Sequence, residues 1–321
     1  MIVPILLFIV GLVALIKGGD WFVDGATGLA RRFRLPDIIV GATVVSIGTT
    51  LPEVMVSATG ALNGQGSMAY GNAIGSIICN TALIAAISVA VNPGPVNTKT
   101  MKMPVGFFFA STAIYCFAAY YMGEFTRLLG IAMLLIFAVY MVITIRQGLK
   151  NPEAAHEEAE EQKQKALWQE LVLLVVGAAL IAVGASLLVD NGTIIAQKLG
   201  VPETVIALTF VALGTSLPEL VTTITSLRKG HASLGIGNVI GANIFNLVLV
   251  SGVSVTLAPF KVPVGKMLFG QNASLVLDIP LMVTVMLLLT VPALLRKKMS
   301  RWQGIALLVI YAAFCAVQFV V

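Results

Sequence analysis

Charge is scarce in this chain: Asp, Glu, Lys and Arg together make up 11% of its 321 residues. Histidine and cysteine are scarcer still, at 2 and 3. Both histidines, His156 and His231, lie in polar intervals, so there is no His-based zinc centre, no HExxH motif and no Ser/His pair for hydrolysis. Cys79, Cys116 and Cys315 stand apart in apolar context without CxxC spacing, which leaves no case for a disulfide framework or a thiolate metal centre. These absences speak against an enzyme. What abounds is apolar: 58% of the residues are hydrophobic and the mean hydropathy is +0.96. Stretches of about 20 apolar residues, enough to cross the ~30 Å hydrocarbon layer, recur along the chain and define an integral membrane protein. The net charge of +5 would suggest a nucleic-acid partner in a soluble domain. Here the basic residues sit in short loops between apolar runs and act as topology signals.

Ten spans are expected, at residues 2–23, 37–61, 68–91, 104–122, 128–145, 169–189, 203–227, 233–257, 275–294 and 302–320. The first run has no basic segment ahead of it and continues through Lys17 to Val23, which reads as a retained helix and not a cleaved leader. One strongly polar interval, Arg146 to Gln169, divides the spans five and five, giving a first unit at 1–146, a linker at 147–168 and a second unit at 169–321. Its acidic run Glu157 to Glu161 reads as a solvated helix.

The two units are copies. An offset of 166 pairs Gly11 with Gly177, Gly18 with Gly184, Asp24 with Asp190, Pro36 with Pro202, Glu53 with Glu219 and Asn80 with Asn246. With an odd number of spans per copy, the second enters the membrane from the opposite side, so the repeats are inverted. Of the 20 Lys and Arg residues, all but Lys17, Arg127, Lys198, Lys261 and Lys266 fall in one alternate set of loops. By the positive-inside rule that set and the linker are cytoplasmic and both termini face outside, with the plasma membrane as the expected location.

Within the copies, Gly48-Thr-Thr-Leu-Pro-Glu53 and Gly214-Thr-Ser-Leu-Pro-Glu219 each put a carboxylate after a proline in a bilayer-crossing stretch. An intramembrane carboxylate costs about 3 kcal/mol on insertion scales and is normally kept for a partner. No Lys or Arg lies near in sequence, so an exchangeable cation is the expected partner. Pro52 and Pro218 remove amide bonds to the Gly48 and Gly214 carbonyls, so each helix should break or kink there and free carbonyls for a cation. Thr49, Thr50, Thr215 and Ser216 precede the acids by three or four residues and share their helix face, and such hard oxygen donors suit Ca²⁺ or Na⁺. Thr43, Thr59, Thr209 and Thr222 are expected to bond back to their own helical turns.

A second motif follows in each copy, Gly71-Asn-Ala-Ile-Gly-Ser-Ile-Ile-Cys-Asn80 and Gly237-Asn-Val-Ile-Gly-Ala-Asn-Ile-Phe-Asn246. The GxxxG pairs Gly71/Gly75 and Gly237/Gly241 should admit a neighbouring helix closely. Asn80 and Asn246 read as a second wall of the same site, Asn72 and Asn238 as structural. Asp20, Asp24, Asp190 and Asp278 lie near span ends, and Trp21, Trp168 and Trp302 read as interfacial anchors.

The paired GTTLPE/GTSLPE and GNAIGS/GNVIGA motifs resemble the α-repeats of the cation/calcium exchanger superfamily, and the ten-span layout resembles its prokaryotic sodium/calcium exchangers. The resemblance covers almost the whole chain. It implies an all-α membrane protein of two inverted five-helix repeats with broken helices 2 and 7. It also implies Na⁺/Ca²⁺ antiport by alternating access, with no cofactor beyond the transported ions. Carried over, the ligands fall on Glu53, Glu219, Thr49, Thr50, Thr215 and Ser216, on the carbonyls of Ser46 and Ala212, and on Ser76, Asn80 and Asn246. This chain has Asn246 where relatives can carry an aspartate and Ala242 where they can carry a serine, which leaves two acids to balance cation charge. A proton-driven exchanger, an exchanger of another divalent cation and a channel are the remaining expectations to be distinguished.

Overall fold

A computed structural model describes residues 2–150, 165–199, 214–264 and 267–318. The helices are α1 (Ile2–Phe33), α2 (Asp37–Leu62), α3 (Gly66–Val91), α4 (Thr98–Met122), α5 (Arg127–Lys150), α6 (Leu167–Lys198), α7 (described over Leu217–Arg228), α8 (Ala232–Leu257), α9 (Ser274–Arg296) and α10 (Arg301–Gln318). Among the described residues, all of these except α7 are long and apolar enough to span a membrane. The Ala212 carbonyl, Thr209, Pro202, the start of the seventh span and the Glu157–Glu161 run lie outside the described residues.

α1 does not end at Val23 as expected but continues to Phe33. Its polar last turns are held against the start of α6, where Gly25 meets the Glu170 carbonyl and Arg32 Nε donates to Glu170 Oε2 at 2.9 Å. Gly11 lies against Gly184, and Gly18 against Gly177, so the residue numbers run in opposite directions and the two helices pack antiparallel. Glycine is required at these places because a Cβ would strike the facing backbone.

α2 and α8 pack in parallel, with Gly237 on the Ile38 backbone and Gly241 on Ala42. Here the GxxxG expectation is met. At Gly71 and Gly75 no neighbouring heavy atom among the described residues stands within 4 Å of where a Cβ would be, and the counterparts of Ile38 and Ala42 at the offset of 166 lie outside the described residues. That face of α3 is only partly covered: Gly71 is exposed and Gly75 half-buried.

Helical hydrogen bonding runs on through Pro52, which lies inside a regular α-helical stretch, Ser46–Leu62. The irregularity falls earlier, in a π-helical turn at Gly41–Val45. Neighbours take up the polar groups it loosens: Tyr140 Oη donates to the Ala42 carbonyl at 2.9 Å and Ser46 Oγ to the Gly41 carbonyl at 2.8 Å. Pro218 sits in the first turn of the described part of α7, just after Ser216, where a helix has no amide bond to lose.

Two loop pairings tie distant parts of the chain. Gly94–Pro95 pairs antiparallel with Lys298–Met299, and Glu124–Phe125 with Phe260–Lys261. The larger apolar core gathers α3, α4, α5, α8 and α9 around Tyr115, Tyr140, Phe108 and Phe245, and a smaller one packs α1 and α6 beside α2.

Candidate ion-binding site

Glu53 and Glu219 are both 0% exposed and lie within electrostatic reach of each other. Glu53 comes from the middle of α2 and Glu219 from the first turn of α7, where a carboxylate also suits the helix dipole. Thr50 Oγ1 lies 3.5 Å from Glu219 Oε1, with the Thr49 hydroxyl nearby. Both oxygens of Glu53 and Oε2 of Glu219 are buried with no hydrogen-bond partner among the described residues. So are Ser216 Oγ, both side-chain polar atoms of Asn80, and Oδ1 of Asn246. Buried polar groups are almost always paired, so this concentration of polar atoms without partners among the described residues makes the cluster the candidate site for a cation.

The asparagines are presented by a feature that sequence reasoning missed. Asn80 opens a π-helical turn, Asn80–Ala85, in α3, and Asn246 opens another, Asn246–Val250, in α8. The first packs against α7 and α8, and the second against α2 and α3, so the mid-sections of four helices meet. Such turns recur at functional sites because they re-aim side chains and loosen carbonyls. The Asn246 carbonyl is taken by Ser251 Oγ at 2.9 Å, five residues on, as Gly41 is taken by Ser46. A serine five residues after a buried carbonyl was the signal available. Asn246 Nδ2 donates to the Ala242 carbonyl at 3.0 Å, which leaves its amide oxygen as the free end.

Asn72 and Asn238 do more than cap backbone. Thr49 Oγ1 donates to Asn238 Oδ1 at 3.1 Å, and Thr215 Oγ1 to Asn72 Oδ1 at 3.3 Å, one contact made twice at the offset of the repeat. Asn72 Nδ2 reaches the Glu53 carbonyl at 3.3 Å and Ser57 Oγ at 2.8 Å. Thr215 is thus held by Asn72, while Ser46 is buried against Asn238, 3.0 Å from its carbonyl oxygen. Ser76 is buried one turn before Asn80. Thr43 bonds back to the Ile39 carbonyl at 2.7 Å as expected, whereas the Thr222 hydroxyl is buried without a partner among the described residues.

No group of three or more His, Cys, Asp or Glu side chains that could hold a metal ion occurs among the described residues. The candidate donors are two carboxylates with hydroxyl and amide oxygens, a set that suits hard cations better than zinc or copper.

The "Sodium/calcium exchanger protein" family model matches residues 3–146 and 170–320. An uncharacterized membrane protein of Methanocaldococcus jannaschii is 34% identical over 95% of this chain and 94% of its own. The sodium/calcium exchanger MaX1 of Methanosarcina acetivorans is 28% identical over 99% of both chains. Among solved structures, the sodium-calcium exchanger NCX_Mj, soaked with Na⁺ and Sr²⁺, superposes with a TM-score of 0.82 at 31% identity over 98% of each chain. With both halves of the chain matched and the fold shared from end to end, the protein belongs to the sodium/calcium exchanger family.

Proposed function

We propose that this chain is a secondary antiporter that moves Ca²⁺ against Na⁺ by alternating access, and not an enzyme. The observation that carries this is the pair of fully buried carboxylates, one from each half, whose oxygens find no protein partner among the described residues. Two carboxylates neutralise one Ca²⁺. The oxygens of Glu53, Glu219, Thr49, Thr50, Thr215, Ser216, Ser76, Asn80 and Asn246, with the Ser46 and Ala212 carbonyls, form the proposed set shared by the two ions. Because both substrates need the same two acids, they exclude each other, and exchange follows without a further coupling device. A sodium set carrying more charge than Ca²⁺ makes transport electrogenic, biased by about 2.3 kcal/mol per elementary charge per 100 mV.

The architecture we infer is two inverted five-helix repeats, residues 1–146 and 169–321, joined by a cytoplasmic linker at 147–168, with the second helix irregular at its π-helical turn Gly41–Val45 and the seventh at the turn Thr215–Ser216. Support comes from the antiparallel contact of α1 with α6, two helices at matching positions in the repeats, and from the turn at Thr215–Ser216 ahead of α7. Both termini face outside in this reading, and the protein resides in the plasma membrane.

The test is Ca²⁺ uptake into reconstituted vesicles with Na⁺ and proton gradients imposed separately. Uptake should follow the sodium gradient and vanish in Glu53→Gln and in Glu219→Gln. Sodium-driven uptake surviving in both single variants would rule the site out, uptake driven by protons alone would reassign the coupling ion, and single-channel conductance would make the protein a channel.

A further inference from the structure

Three π-helical turns lie in the helices that build the cluster: Gly41–Val45 in α2, Asn80–Ala85 in α3 and Asn246–Val250 in α8. Two of them are held by a serine five residues after the turn begins, Ser46 donating to the Gly41 carbonyl and Ser251 to the Asn246 carbonyl. The turn in α3 has no such serine. Ala85 stands five residues after Asn80, at the place that the offset of 166 pairs with Ser251.

What grips this turn instead comes from two other helices. Asn243 Nδ2, in α8, donates to Thr81 Oγ1 at 2.7 Å and to Met286 Sδ of α9 at 3.2 Å, and Thr81 Oγ1 donates to the same sulfur at 3.3 Å. All three side chains are fully buried. Thr81 is the second residue of the turn and directly follows Asn80, whose amide has no partner among the described residues. The repeat does not supply this triangle, because the offset pairs Thr81 with Leu247 and Asn243 with Ile77, whose side chains form no hydrogen bonds. Asn243 Oδ1 is itself buried without a partner among the described residues, and a polar atom so placed costs stability. A leucine at 243 would avoid that cost, so packing alone does not account for the amide.

We propose that Asn243 is a positioning residue for the ion: by way of Thr81 and Met286 it fixes the π-helical turn of α3, and with it the direction in which Asn80 is presented. The proposal rests on the oxygen cluster being the cation site. A pre-aimed amide gives up less freedom when it closes on a cation, so loosening the turn weakens binding without removing a ligand.

The experiment measures equilibrium binding of radioactive Ca²⁺ to the full chain in detergent, with thermal unfolding and sodium-driven vesicle uptake read on the same preparations. Asn243→Leu and Thr81→Val should each raise the dissociation constant roughly tenfold or more, the scale on which a metal site weakens when it loses a supporting contact. Thr81→Ser, which returns the hydroxyl, should recover the affinity that Thr81→Val loses. The double variant should bind no more weakly than the weaker single, because both changes remove one bond. Adding Ala85→Ser to Asn243→Leu should restore most of the affinity, since it gives α3 the serine that α2 and α8 use. Ca²⁺ affinity unchanged in both single variants, whatever their unfolding temperatures, overturns the proposal. So does a double variant whose loss is the product of the two singles, or an Ala85→Ser that restores nothing. If the unsubstituted protein binds Ca²⁺ but does not take it up against sodium, the transport reading fails, while the binding series still decides the role of Asn243.

Discussion

At the scale of single residues, the carboxylates set the charge and the asparagines set the geometry. Asn238 Oδ1 accepts from Thr49 Oγ1 at 3.1 Å, so one amide oxygen holds that hydroxyl in place beside the acids. Removing it leaves a buried donor unpaired at about 1–3 kcal/mol. Asn238→Ala is therefore expected to raise half-saturating Ca²⁺ roughly 5- to 150-fold in vesicle uptake, the equivalent of that energy. Asn72→Ala should do the same through Thr215 and the Glu53 carbonyl. Unchanged Ca²⁺ dependence in both variants would return these residues to a packing role. The acids and their hydroxyls were legible in the sequence because a carboxylate in an apolar stretch has so few reasons to exist, and because it occurs twice. The bracing asparagines were visible as residues but not as braces. Their partners lie on other helices, and nothing within a helix announces which side-chain amide will cross to which hydroxyl.

Among the helices, close packing at glycine joins α1 to α6 and α2 to α8, and also α5 to α8 at Gly130 and α10 to α3 at Gly304. At Gly237 an added Cβ would meet the carbonyl of Ile38, which is backbone and has little room to give. Gly237→Ala should therefore cost about 1–3 kcal/mol of stability. Thermal unfolding in detergent reads the loss, and unchanged stability would contradict the packing. The sequence motif alone could not settle this, because GxxxG gives a helix the means for close approach without saying which neighbour takes it. The π-helical turns were hidden for a related reason. Their extra residue is stabilised by Tyr140, Ser46 and Ser251 bonding to loosened carbonyls, and the Tyr140 bond joins residues 98 apart in the chain. Pro52 shows the converse, a local signal for a break that the surrounding helix absorbs.

For the molecule as a whole, the question is which loops share a side of the membrane. Arg32 with Glu170, Lys229 with Asp24 and His231 with Asp37 join the end of α1, the start of α2, the start of α6 and the link from α7 to α8, so all of these lie at one end of the bundle. Asp24 is thus paired and not merely solvated near its span end. The loop pairing of Gly94–Pro95 with Lys298–Met299 adds the links after α3 and α9 to that end, and Glu124–Phe125 with Phe260–Lys261 brings the links after α4 and α8 together at the other. Each grouping joins loops separated by an even number of spans, as any ten-helix crossing demands, and the first is the lysine- and arginine-rich set. In the proposed topology the positive-inside rule turns that first end toward the cytoplasm. Glu124 and Lys298 are both exposed, one at each end. In a protein with its three native cysteines replaced, a membrane-impermeant thiol reagent applied to intact cells should label Glu124→Cys and spare Lys298→Cys until the membrane is opened. The reverse pattern would invert the topology, and labelling of both from outside would mean that the two loop pairs do not lie at opposite ends of the membrane.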